Sequence, residues 1–148
     1  MIKINFFNDY NSKLSCNTKE LINIAKVVLH DSKHYSAKIS VILSNQKKLN
    51  KLKNDFFNVD HYTDVITFNL EDNGEPIDGE IYISIDDVLK NAKKFDQTFN
   101  EEFKRIFVHG FLHLVGYNDS TDNEKQIMTR LEDKYILIEK GEVIQYDG

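Results

Sequence analysis

The sequence predicts an α+β domain, a mostly four-stranded mixed sheet with helices packed on it, and three observations predict it. Apolar residues recur with helical period in some segments and alternate with strand period in others. These segments follow one another as β-α-β-α-β-β-α-α-α, and the two adjacent strands are joined by a turn cluster, which favours antiparallel pairing. With 148 residues, 41% hydrophobic and 29% charged, the chain has material for one core and reads as a single domain over 1–148.

Each element has its own signature. Ile2–Phe7 alternates apolar and polar residues like a strand. Thr18–Asp31 carries apolar residues at 21, 22, 24, 25, 28 and 29, the stripe of an amphipathic helix. Ser36–Leu43 reads as a second strand through β-branched Ile39, Val41 and Ile42, and Ser44 can cap a lysine-rich helix over roughly 45–56. Thr63–Phe68 is a strand, Asp72–Pro76 a turn cluster, and Gly79–Ser84 the strand that returns. Ser84 with Asp87 has the spacing of a capping box opening a helix to about Phe95. Asn100 caps the next helix, which runs to Val115 and is stopped by Gly116. Thr121 with Glu124 forms a further capping box, and the last helix ends near Lys140 with Gly141 as its C′ residue.

Composition narrows the function classes. No run of about 18 apolar residues is present and the N-terminus lacks the layout of a secretory signal, so no membrane role and a cytoplasmic location are expected. The single cysteine, Cys16, forbids an intrachain disulfide and reads as a structural thiol. The net charge of −5 hides an asymmetry: residues 1–55 hold ten lysines against four acids, whereas 56–148 hold nine basic residues against twenty acids. A polyanion could therefore bind the N-terminal half only, where Lys47, Lys48, Lys51 and Lys53 form the densest basic stretch. The same lysines also fit a solvated helix face, since no aromatic residue interleaves with them.

The chemistry concentrates in Val108-His-Gly-Phe-Leu-His-Leu-Val-Gly-Tyr-Asn-Asp119. Four residues apart on a helix, His109 and His113 project from one face, as two ligands of one ion must. Gly116 can take φ > 0 and turn the chain sharply, so Asp119 can return to the open side. Two imidazole nitrogens and a carboxylate, with a fourth position open to water, have the form of a catalytic zinc site. Buried, hydrogen-bonded histidines are the competing reading. A second pair, His30 and His34, lies at a helix end with no third ligand nearby and reads as structural. Gly110 stands where H-E-x-x-H proteases place their glutamate base, which argues against peptide hydrolysis; it is expected to leave space near the metal for a bulkier substrate such as a nucleic-acid backbone.

Three segments together resemble the YbeY family of endoribonucleases, which mature ribosomal RNA: His109–Tyr117 is similar to its H-G-x-L-H-L-x-G-Y motif, Thr63–Phe68 to its T-D-V-L-S-F strand, and Asp78–Ile83 to its L-G-D-I-x-I strand. The resemblance implies a single-strand-specific metallo-endoribonuclease acting in 3′-end maturation of small-subunit ribosomal RNA and in ribosome quality control. It implies one Zn²⁺ per chain, or another divalent transition metal, on His109, His113 and Asp119. Its partners would be ribosomal RNA and the small ribosomal subunit, with no DNA. Asp64 and Thr67 would orient water or a ligand, and Lys47, Lys48 and Lys51 would track the phosphate backbone. Strand-capping and surface roles fit Asp64 and Thr67 equally.

Two departures stand out. Asp119 replaces the family's third histidine, with Asn118 before it, and the arginine six residues ahead of the T-D-V strand falls at Phe57. A carboxylate in place of an imidazole leaves a Zn²⁺ site at net +1 rather than +2, and weaker activation of water is expected. Asp119→His should then move the basic limb of any pH–rate profile. Phe57 offers no charge or donor to a phosphate. The alternative is thus a ribosome-associated assembly or binding factor whose metal is mainly structural and whose nuclease activity is weak or lost. A metal-dependent hydrolase of small substrates, suggested by the acidic C-terminal half, is a third.

Overall fold

The computed structural model describes residues 1–57 and 64–148. In chain order its elements are β1 (Ile2–Asn8), β2 (Leu14–Cys16), α1 (Thr18–Asp31), β3 (Ala37–Ser44), α2 (Gln46–Phe57), β4 (Val65–Asn69), β5 (Ile77–Ser84), α3 (Ile85–Lys94), α4 (Phe99–Leu114), α5 (Asp122–Tyr135) and β6 (Ile144–Tyr146). The main sheet has the order β1-β3-β5-β4. Its first three strands are parallel, with Ile4 beside Ile39 and Val41 beside Ile81, and β4 closes the edge antiparallel, with Thr67 beside Ile81. This is the α+β domain with a four-stranded mixed sheet that the sequence predicts. The expected start of β4 at Thr63 lies outside the described residues.

The core forms where α1 and α4 lie on the sheet. Leu21, Ile24 and Val28 of α1, Ile39 and Val41 of β3, Ile81 and Ile83 of β5, and Phe103, Phe107 and Phe111 of α4 have no exposed surface. The three phenylalanines recur every four residues, so their rings line one face of α4 with centroids 6.1 and 4.9 Å apart. Burying side chains of this size contributes roughly 1.5–3 kcal/mol each, which fixes α4 on the sheet and with it the residues on its other face.

Gly110 lies against the sheet. A β-carbon there would stand 2.9 Å from Cγ2 of Ile81 and 3.4 Å from Cγ2 of Val65. This corrects the expectation that Gly110 leaves room for substrate: the room is already filled by the sheet. Gly110→Ala is expected to lower stability by about 1–3 kcal/mol through overpacking, because Ile81 is a β-branched side chain on an interior strand. Urea denaturation would read the change.

Local details differ from the sequence expectations for identifiable reasons. Asn45, not Ser44, caps α2, its side chain accepting from the Lys48 N–H at 2.8 Å. Thr98, not Asn100, caps α4; the Asn100 side-chain oxygen instead accepts from the Val143 and Ile144 N–H groups at 2.6 and 3.3 Å, anchoring β6. Ser84 accepts from the Asp87 N–H, but the reciprocal half of the expected box is absent, because the Ser84 N–H donates to the Asp64 carbonyl at 2.9 Å. Helix α5 ends at Tyr135 rather than near Lys140, so Gly141 is not its C′ residue. The buried Lys104 ammonium donates to the Glu139 carbonyl at 2.7 Å, which a helix continuing through 139 would have turned toward its own N–H groups. The small antiparallel pair β2–β6 was not foreseen, since three residues a strand carry too little periodicity to read.

None of the described helices is long and apolar enough to cross a membrane. Burial pushes the Cys16 thiol up to about 11, so it holds its proton at neutral pH and is a poor nucleophile.

Candidate metal centre

Helix α4 presents His109 and His113 on the face turned from the phenylalanine ladder. Past its C-cap, Gly116 takes φ +109°, and the Gly116 and Tyr117 N–H groups donate to the His113 and Leu112 carbonyls at 3.0 Å each. This pair of bonds is a Schellman turn. Three residues on, Asp119 comes back beside the histidines. The segment ends in the capping box of α5, with the Glu124 N–H donating to Thr121 Oγ1 at 3.1 Å and the Thr121 N–H to Glu124 Oε1 at 2.9 Å.

Three donor atoms converge there. His109 Nε2 and His113 Nε2 are 2.9 Å apart, and Asp119 Oδ2 lies 3.3 Å from the first and 3.6 Å from the second. Zinc ligands at tetrahedral positions stand roughly 3.3–3.5 Å from one another at usual Zn–N and Zn–O lengths. Among the described residues no other trio of His, Cys, Asp or Glu side chains converges in this way.

The partners of the other ring nitrogens decide what the convergence means. His109 Nδ1 donates to Glu132 Oε2 at 2.6 Å, and His113 Nδ1 donates to the Tyr117 carbonyl at 3.0 Å. A carboxylate and a carbonyl only accept, so in the neutral rings both protons sit on Nδ1 and both Nε2 lone pairs point at each other and at Asp119. Facing lone pairs need a positive charge between them. Burial alone would lower the His109 imidazolium, but the Glu132 hydrogen bond and charge, with Asp119 and Asp64, outweigh it and hold His109 above its usual range. Burial and then the charge on His109 push His113 down. With a divalent cation all three lone pairs are used at once, and carboxylate and carbonyl backing of ligating imidazoles is the common arrangement at such sites. The residues present therefore fit a single metal ion of the N₂O type.

Glu132 was not singled out by the sequence reading, nor was Arg105. Glu132 is 7% exposed on the inner face of α5, with Met128 and Tyr135 buried one turn to either side. Its second oxygen accepts from Arg105 Nη1 at 3.0 Å, while Arg105 Nη2 donates to Asp133 at 2.8 Å. An acid on the apolar stripe of a helix was the available signal.

The convergence opens into a cleft of about 360 Å³ lined by Lys53, Phe57, Asp64, Val65, Ile66, Thr67, His109, His113 and Asp119. Asp64 and Thr67 thus share the cleft with the histidines. Asp64 Oδ2 accepts from Asn91 Nδ2 at 3.2 Å. Burial holds the Asp64 carboxyl above the usual range, against the opposing pull of His109. Lys47, Lys48 and Lys51 are exposed on α2 and do not line the cleft; Lys53, two residues further along the same basic stretch, does. His30 and His34 stand apart at the end of α1, where the His30 ring packs against Tyr35 at 5.5 Å.

Helix-borne imidazoles, a carboxylate on the following loop and an open cleft at the edge of a mixed sheet define an α+β protein with a His-His-Asp group that could hold one metal ion. Residues 6–138 match the family model described as Endoribonuclease YbeY. The Endoribonuclease YbeY of Christiangramia forsetii is 34% identical over 138 residues, covering 92% of this chain and 94% of that protein. That of Karelsulcia muelleri is 36% identical over 118 residues, covering 79% and 82%. A Thermotoga maritima protein solved in solution is similar at a TM-score of 0.58 and 30% identity, over 93% of this chain and 88% of that one. The chain belongs to the YbeY endoribonuclease family.

Proposed function

We propose that this protein is a zinc-dependent endoribonuclease that cleaves single-stranded ribosomal RNA, acting in 3′-end maturation of the small-subunit RNA and in ribosome quality control in the cytoplasm. The observation that carries the reading is the meeting of three lone-pair donors at the wall of an open cleft, which leaves a coordination position free for water or a phosphoryl oxygen. A zinc ion held by His109, His113 and Asp119 supplies Lewis acidity and an activated water there. An N₂O donor set also accepts nickel or iron, so metal content is part of the test.

The chain's own residues have distinct parts. Glu132 and the Tyr117 carbonyl fix the imidazole planes and, in the neutral rings, hold the single proton on Nδ1 so that Nε2 faces the metal position. Asp64, its carboxyl raised by burial, and Thr67 stand across the cleft to orient the water and the phosphate. Asp64→Ala is expected to slow cleavage at least about tenfold with bound metal unchanged at one ion per chain, as elemental analysis beside single-turnover kinetics would record. Lys53 meets the backbone within the cleft, and Lys47, Lys48 and Lys51 on the exposed face of α2 attract it from outside, which makes binding steeply salt-dependent.

The deciding experiment measures bound metal in the purified protein and cleavage of single-stranded RNA beside His109→Ala. Metal-dependent cleavage lost in the variant supports the nuclease. Bound metal without cleavage supports the assembly-factor reading, which the absence of a cationic side chain at Phe57 favours. Absence of bound metal in the wild type overturns both.

A further inference from the structure

The nuclease reading leaves unexplained an aromatic cluster on the rim of the cleft. Phe56 and Phe57, adjacent at the end of α2, are 67% and 45% exposed. Phe68 of β4 backs both: its ring stacks on Phe57 at 5.8 Å with 21° between planes and meets Phe56 edge-on at 5.5 Å. Tyr82 of β5 holds Phe68 from behind at 5.9 Å, almost perpendicular. These rings are therefore set in orientation by a contact chain that runs back into the sheet. Two adjacent phenylalanines left in water at a helix end are costly unless something covers them.

The surroundings identify what covers them. Lys53 Nζ lies 5.1 Å above the Phe57 ring, and α2 carries four lysines against one aspartate. Phe57 and Lys53 line the same cleft as His109, His113 and Asp119. A ligand for this corner must offer a flat π surface and an anion a few ångströms apart, within reach of the metal ligands. A nucleotide of single-stranded RNA offers both, the base to the ring and the phosphate to the ammonium. A protein partner supplies apolar surface but has no general reason to place anions beside it.

We propose that Phe57, backed by Phe68 and flanked by Phe56 and Lys53, is the stacking platform for one unpaired base of the RNA substrate, next to the phosphate presented to the metal. This rests on the reading of the chain as an RNA-cleaving enzyme and adds to it a base subsite. Stacking selects unpaired nucleotides, because a base held in a duplex has no free face, and it tolerates every base identity. Preference for single strands thus comes from a surface rather than from the metal. On engagement the base takes the ring face that Lys53 covers, and Lys53 moves to the phosphate.

The test titrates the metal-loaded protein into a short single-stranded oligoribonucleotide carrying one 2-aminopurine, whose fluorescence falls on stacking. Wild type is expected to quench it. Phe57→Leu, which keeps an apolar side chain on a half-exposed site, should bind about tenfold more weakly with little quenching, while Phe57→Trp should retain both. An oligonucleotide with one abasic nucleotide should bind the wild type as weakly as intact RNA binds Phe57→Leu. In cleavage assays Phe57→Leu should raise KM and leave kcat near the wild-type value. Equal affinity of Phe57→Leu and wild type, or binding without quenching in any register of the 2-aminopurine, overturns the platform, and so does a Phe57→Leu defect confined to kcat. Wild-type protein that loads metal but cleaves no RNA overturns the nuclease reading instead, and the fluorescence titration still decides whether the base subsite exists.

Discussion

Glu132→Ala is expected to weaken metal binding by roughly 10- to 100-fold, the usual loss when the carboxylate behind a ligating histidine is removed. Without Glu132, the Nδ1–H of His109 loses its acceptor at 2.6 Å, so the ring is free to rotate or to move its proton to Nε2, where it blocks the lone pair the metal needs. Arg105 also loses the acceptor at 3.0 Å and keeps only Asp133. Glu132→Gln separates the two consequences: an amide oxygen can still accept from Nδ1, but the negative charge that raises His109 is gone. Its affinity should fall between wild type and Glu132→Ala. Isothermal titration with zinc would give the order, and a Glu132→Ala protein binding zinc as tightly as wild type would show that His109 is not a ligand held by this contact.

Metal removal should destabilise the protein by an amount set by mass action. At free zinc a thousand times the Kd, binding to the folded state alone contributes about 4 kcal/mol, and a chelator should remove it with a clear drop in Tm. The effect should be specific to the site. Asp119→Ala keeps both helix-borne imidazoles but breaks the trio, so its Tm should respond far less to zinc, while its Tm in chelator should stay close to that of wild type. The second expectation follows from position: the Asp119 side chain is 42% exposed, on the loop between α4 and α5. Equal zinc-induced shifts in wild type and Asp119→Ala would exclude the carboxylate from the site.

Those two experiments also divide what the sequence made legible from what it did not. His109, His113, Gly116 and Asp119 lie within eleven residues, so helical period and one glycine turn are enough to bring them together on paper. The sheet was equally legible, because alternation and β-branched runs marked its four strands. Glu132 meets His109 and Arg105 only because α5 packs on α4, and no period within either segment reports a contact between helices. Lys53 was visible as one of four lysines. Which lysine faces the cleft depends on the angle at which α2 leaves β3, and that is a tertiary fact. Gly110 shows the reverse error: an absent side chain read as room for substrate is the point where Ile81 and the helix touch. The caps at Asn45 and Thr98 were missed by one and two residues because Ser, Thr and Asn compete for such places on nearly equal terms.

The short segment between the Schellman turn and the capping box has a consequence for how such a protein can change over generations. Both ends of that segment are tied by hydrogen bonds that do not involve the side chain at position 119, and that side chain is 42% exposed. The two histidines are the opposite case, embedded in a helix whose far face is the core. Inheritance of the site is therefore split into a part locked by folding and a part open to drift. One substitution at 119 can exchange a carboxylate for an imidazole and reset the charge of the metal site, while the architecture that delivers it passes unchanged to the next generation.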